Sequence, residues 1–330
     1  GTGNVAVGRS SLIANTTANH GIAVGYEALK SNTTGSDNVA VGAFALDANT
    51  TGAFNTAVGR NALTSLTTAS RLVAVGNGAL QNCTTGPDNN ALGHGALNSI
   101  TTGGFNTALG HGAADNLTTG GSNVAIGHTA LDSCETGGFN LAIGRGALSQ
   151  YTGSSAVAVG QAALNVCTTG TANTAVGVNA GSNVTTGANN TAIGYNSLDD
   201  CTTGDANTVL GTSAGANITT ADNNTAIGYN SLLNNTTGAS NTAVGSDALD
   251  SNTTGEQNTA VGDNCGHRIT TGSFNALLGK SAGQGITTNG YSVAVGFEAL
   301  VDSSLSGNNH VALGFRSMYK NTSGASNSGL

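Results

Sequence analysis

A chain of 330 residues with a formal net charge of −8, nine Lys plus Arg, 51 Gly, one Pro and no Trp is restricted at once in what it can be. At 8% charged residues it is too weakly charged for a disordered chain, and its Gly, Asn and Thr do not suit packed helices. The scattered basic residues form no stripe that would track a phosphate backbone, no apolar run approaches the roughly 20 residues that span a bilayer, and the opening residues lack the regions of a secretory signal.

From the N-terminus, the glycine that closes the word A-V-G falls at Gly8, Gly25, Gly42, Gly59, Gly76, Gly93, Gly110, Gly127 and Gly144, a spacing of 17. One 16-residue step reaches Gly160, the 17-residue spacing then continues from Gly177 to Gly296, and an 18-residue step ends at Gly314. The pattern predicts nineteen stacked turns in one continuous repeat domain spanning 1–330.

Each turn reads approximately N-T-A-V-G-x-x-A-L-x-x-N-T-T-G-x-x. A short strand word ends at the motif glycine. A second apolar word, A-L, follows, and the N-T-T-G corner is rich in residues that bond their own backbone or tolerate positive φ. Seventeen residues are too few for a βαβ crossover, so the fold class expected is all-β, a parallel β-solenoid with one coil per turn. At about 4.8 Å per coil, nineteen coils predict a rod on the order of 90 Å. Gly59, Gly76 and Gly93 are then stacked structural turns, and Asn55 and Asn106 belong to a corner column of asparagines that bond along the axis.

Substitutions within the chain refine this picture. The Leu of the A-L word becomes Gly at Gly181, Gly215, Gly266 and Gly283, and three positions later each of those turns carries Val184, Ile218, Ile269 or Ile286. Ala114 with Leu117 behaves likewise, so the two columns are expected to share one interior. Ala and Val of the A-V word are consecutive and point to opposite faces, yet both are apolar in nearly every turn. One column lines the coil. The other needs a cover, which predicts self-association along the solenoid.

The words "NVAVG" at Asn4, "NVAIG" at Asn123, "NTAIG" at Asn190 and "SVAVG" at Ser292 resemble the S-V-A-I-G repeat of YadA-like head domains in trimeric autotransporter adhesins. The longer N-T-A-V-G form is similar to repeats of phage and viral tail-fibre proteins. The resemblance covers all nineteen turns and implies a left-handed β-roll assembling as a side-by-side homotrimer. The repeat here is longer than in the adhesin heads, so the extra T-T-G residues are expected to add a ridge.

Five cysteines invite a disulfide or metal reading. Cys83, Cys134, Cys167 and Cys201 share one column, never in adjacent turns, and the closest pairs lie about 10 Å apart, beyond disulfide reach. Cys265 belongs to another column, and buried thiols filling a core account for all five. His94, His111 and His128 follow the motif glycine in three successive turns, with Arg145 next; a ladder at this spacing can hold a transition metal or an anion, or can be an exposed variable column. Asp37, Asp88, Asp205 and Asp222 do not repeat as a calcium-binding solenoid requires, and N-T-T matches a glycosylation acceptor at Asn15, Asn32, Asn49, Asn235 and Asn252.

No catalytic motif or recurring carboxylate pair is present, so no enzyme activity and no cofactor are expected. The function expected is that of an extracellular structural and adhesive fibre segment on a virion or cell surface, touching a host surface protein or glycan through many weak contacts. Tyr26, Tyr195 and Tyr229 after the motif glycine, with Phe54, Phe105, Phe139 and Phe274 before the corner Asn, are the candidate receptor contacts. The rival classes are a receptor-free filament, since both ends cut the repeat without an obvious cap, and an ice-binding solenoid built on paired Thr such as Thr33 and Thr34. The bend at the following glycine argues against the ice-binding reading.

Overall fold

A computed structural model describes residues 1–301, 307–320, 324 and 326–330. The chain forms two compact units, Gly1–Ala162 and Ala163–Leu330. In the first, ten three-residue strands run from Val5–Val7 to Val157–Val159, and each pairs in parallel with the next. The second repeats the arrangement from Thr174–Val176 to Val311–Leu313 and adds the two-residue strand Ser328–Gly329. Register is set by the repeat: Ala40 lies beside Ala57 and Val41 beside Val58. Both units are thus parallel β-solenoids with one coil of about 17 residues per turn, and among the described residues there is no helix, hence none to cross a membrane.

Strand alternation decides which apolar column is inside. Ala57 is fully buried while its neighbour Val58 is 36% exposed, and the same contrast separates Ala40 from Val41 and Ala175 from Val176. The interior is completed by the A-L word (Ala62, Leu63) and the residue three positions after its Leu, such as Leu66 or Cys83, all fully buried. Strands of three residues cannot enclose this core alone, so corners do most of the folding.

Those corners rest on positive φ at residues other than glycine. In the coil of Gly59, Asn61 (φ 59°) and Leu63 (φ 53°) are left-handed, and Phe54 (φ 61°) begins the turn into the strand; corresponding positions repeat along both units. In the N-T-T-G-x-x-N turn the positive φ falls on the residue before the corner Asn (Asp37, Phe54, Asp88) and not on the glycine. Gly35, Gly52 and Gly86 are absent from the left-handed region, and glycine is needed there because a Cβ would lie 2.1–2.2 Å from a carbonyl oxygen of the next coil. The motif glycine has both constraints: Gly59 has φ +139°, and its Cβ would meet the Gly76 carbonyl at 2.3 Å.

The corner asparagines replace ladder bonds with side-chain ones. Asn55 donates its backbone N–H to Asn38 Oδ1 (2.9 Å), accepts the Leu72 N–H at its own Oδ1 (3.0 Å) and donates Nδ2 to the Ala69 carbonyl (3.0 Å). Direct side-chain bonding, expected throughout this column, is found at some rungs only, for example Asn106 Nδ2 to Asn89 Oδ1 (3.0 Å). The first Thr of each T-T pair is likewise consumed by the coil, as where Thr33 and Thr50 donate Oγ1 to the carbonyls of Thr50 and Thr67 (both 3.0 Å).

The shared-interior expectation is met, and extended. A Cβ at Gly181 would stand 3.1 Å from Leu164 Cδ2 and 3.4 Å from Val184 Cγ2, and one at Gly215 2.9 Å from Ile218 Cδ1. Val184, Ile218, Ile269 and Ile286 are fully buried. The inner strand column also contributes: Val209 and Leu277 stand where Ala is usual, within 3.3 Å of the Cβ positions of Gly215 and Gly283.

Candidate functional site

The tight interior leaves function to the exposed columns. Phe54, Phe105 and Phe139 are 62–73% exposed, Tyr195 and Tyr229 just over half exposed, and Tyr26 and Phe274 somewhat less. The structure does not gather them. The Tyr residues follow the motif glycine, the Phe residues precede the corner Asn, and along each coil the two columns bracket the strand. Tyr26 is edge-on to Phe44 (5.2 Å between centroids) under Arg9, while Phe274 stacks on Tyr291 (4.9 Å).

His94, His111 and His128 do form a ladder, with ring centroids 5.1 and 5.2 Å apart and planes within 7° and 12° of parallel. Face-to-face stacking keeps their nitrogens in separate parallel planes instead of converging on one ion, and among the described residues no group of three His, Cys, Asp or Glu side chains is arranged to hold a metal. Beside the ladder lies a groove of about 240 Å³ lined by Asn77, Gly78, Gln81, His94, Gly95, Asn98, His111, Gly112 and Asp115.

Its floor exists because the second position after the motif glycine is Gly in three successive coils (Gly78, Gly95, Gly112), where the flanking coils carry Asn61 and Thr129. One wall is imidazole. The other is the ladder Gln81, Asn98 and Asp115, and the Oδ1 of Asp115 is buried without a hydrogen-bond partner. The sequence signal is the run N-G-A, H-G-A, H-G-A at 77–79, 94–96 and 111–113, whose glycines do not stand out in so glycine-rich a chain.

The remaining sequence candidates are structural. All five cysteines are buried and free; burial pushes the thiols of Cys83, Cys167 and Cys201 up to about 11 and that of Cys265 to about 12, which keeps them from acting as thiolates. The corner aspartates are engaged: Asp88 takes both arms of Arg71 (2.7 and 2.8 Å), Asp37 meets His20 (3.2 Å), and Asp205 and Asp222 accept backbone N–H groups of the preceding coil. Of the five N-T-T asparagines, Asn32, Asn49, Asn235 and Asn252 are buried, so the motif offers no accessible acceptor there. Comparison with protein-family models, with curated proteins and with solved structures finds no match.

Proposed function

We propose that the chain is a segment of an extracellular structural and adhesive fibre whose copies assemble side by side as a homotrimer, presenting repeated weak contacts to a host surface. The observation that carries the reading is the outward strand column. In every coil the residue before the motif glycine is Val, Ile or Leu, it points away from the interior, and many of these side chains, including Val7, Leu92, Leu109, Leu210 and Leu278, are 44–57% exposed. Beside it in the first unit stand Val5, Ile22, Val39, Val73, Val124, Leu141 and Val157. The outward aliphatic column repeats at about 4.8 Å per coil, and in the first unit the second column widens it except at Thr56, Asn90 and Thr107, so each unit presents an apolar stripe that another copy of the chain can cover. Sedimentation or mass photometry of the purified chain is expected to give about 96 kDa, three times 32.0 kDa. A stable 32.0 kDa particle at low concentration overturns the trimer.

A second reading has its own observation. In the second unit the neighbouring outward column begins as Thr174, Thr191, Thr208, Thr225, Thr242 and Thr259, a threonine ladder over six successive strands that lies on the strand and not at a bend. Such a face orders water if it is left bare, which makes it the basis for ice binding. The two readings compete for one surface: thermal hysteresis from a monomer supports ice binding, and a trimer without hysteresis supports the fibre.

A further inference from the structure

The groove along His94 and His111 has the form of a linear binding site with its own period. Three floor glycines, two stacked imidazoles with Asn77 in the same column, and the opposite ladder Gln81, Asn98, Asp115 give three equivalent rungs. Each rung offers one planar polar side chain on either wall. The repeat is the coil repeat, measured at 5.1 Å between the His94 and His111 rings.

A ligand that uses all three rungs must advance by the same step. An extended peptide strand advances about 3.3 Å per residue, and two residues overshoot the rung spacing. Single-stranded nucleic acid places an anion at every unit, whereas the wall carries Asp115 and the chain a net charge of −8. An extended β-1,4-linked hexopyranose chain advances by nearly one rung per sugar, carries no charge, and presents hydroxyl groups on both edges. Imidazole, carboxamide and carboxylate groups are suited to bond those hydroxyls. Asp115 adds to that wall a carboxylate whose Oδ1 is buried without a hydrogen-bond partner.

We propose that this groove binds a neutral β-1,4-linked polysaccharide, three sugar residues to the three rungs, with the chain axis along the coil stack. The proposal deepens the adhesive reading by giving it a ligand class and a place. It assigns recognition to the coils in which the column that holds Tyr26, Tyr195 and Tyr229 elsewhere carries Asn77, His94 and His111. Side chains at the second position in the flanking coils, Asn61 and Thr129, close the floor at either end, which sets the length at three.

The test is isothermal titration calorimetry of the intact chain with β-1,4-linked trisaccharides of glucose, N-acetylglucosamine and mannose. The monosaccharides, an α-1,4-linked glucose trisaccharide and a β-1,4-linked uronic acid trisaccharide serve as comparisons. At least one neutral β-linked trisaccharide is expected to bind, with the monosaccharides, the α-linked chain and the uronic acid chain each about tenfold weaker or more. His111→Ala is expected to weaken binding about tenfold, the scale of one or two lost hydrogen bonds. Gly95→Asn is expected to abolish it by filling the floor. Both variants keep the fold because the protein already places Ala43 at the first position and Asn61, Asn179, Asn196, Asn230 and Asn264 at the second, the asparagines at φ 50–59° against 66° for Gly95. Unchanged circular dichroism checks this, and Thr171→Ala, at an exposed position of the other unit, is expected to bind as the parent does. No binding of any neutral β-linked trisaccharide, tighter binding of the uronic acid chain, or full binding by folded Gly95→Asn overturns the proposal. The mass measurement is independent of all of these, so failure here and failure of the fibre reading are told apart.

Discussion

Leu63 adopts φ 53°, and the residue at its place is left-handed in every coil, from Leu12 to Met318. For an L-residue this conformation costs about 1–2 kcal/mol. Full burial of a leucine contributes about 1.5–3 kcal/mol, which offsets the cost wherever the side chain has room. Gly181 shows the other solution: the backbone is relaxed at φ +57°, and Leu164 and Val184 move volume into the space. Gly181→Leu is therefore expected to overpack the coil and cost about 1–3 kcal/mol. Adding Val184→Asn is expected to recover most of this, since an asparagine at that place has a ready bond, as where Asn32 Nδ2 donates to the Gly35 carbonyl at 2.9 Å. Hydrogen exchange across 175–192 reads the local loosening. A double variant no better than the single one would refute the shared interior.

At the scale of the coil, stability depends on how each corner hands its backbone groups to the next. Asn106 is buried, accepts the Asn123 N–H at Oδ1 (2.9 Å) and donates Nδ2 to the Gly120 carbonyl (3.0 Å). Asn106→Leu retains the bulk, as Leu72 does at the same place, but leaves a buried donor and a buried acceptor unpaired. The expected cost in chemical denaturation is about 2–4 kcal/mol. Asn106→Asp is expected to cost more at neutral pH, because the carboxylate that replaces Nδ2 faces the Gly120 carbonyl in a dry interior. If the leucine variant is the worse of the two, bulk and not hydrogen bonding governs this corner.

For the whole molecule the balance is between a tightly packed interior and an outward aliphatic column that stays exposed. Net charge −8 on 330 residues is a weak barrier to association. The outward aliphatic column can be altered without touching the core, since Val41 and Val58 point away from it and pair as neighbours in register. If the chain assembles as the proposed trimer, Val41→Lys with Val58→Lys is expected to yield a folded monomer, seen as a threefold fall in mass with unchanged circular dichroism. A trimer that survives both charges places the interface on a different column.

The sequence by itself determined the coil. The 17-residue glycine spacing, the A-L word and the exchange of Gly181 for Val184 are local, periodic signals, and in a stacked fold the contacts of one residue are fixed by its place in the repeat. Tertiary structure decided the rest, for three physical reasons. Alternation says that Ala57 and Val58 face opposite ways, but only the closed coil makes the alanine side the inside. Positive φ at Leu63 and Phe54 has no signature, because neither residue favours it and only the surrounding corner enforces it. And the histidines are legible as a column, yet the groove beside them exists only where the side chains of Gln81, Asn98 and Asp115 rise opposite a glycine floor, a juxtaposition of residues three and four places apart that the coil's left-handed turns bring about.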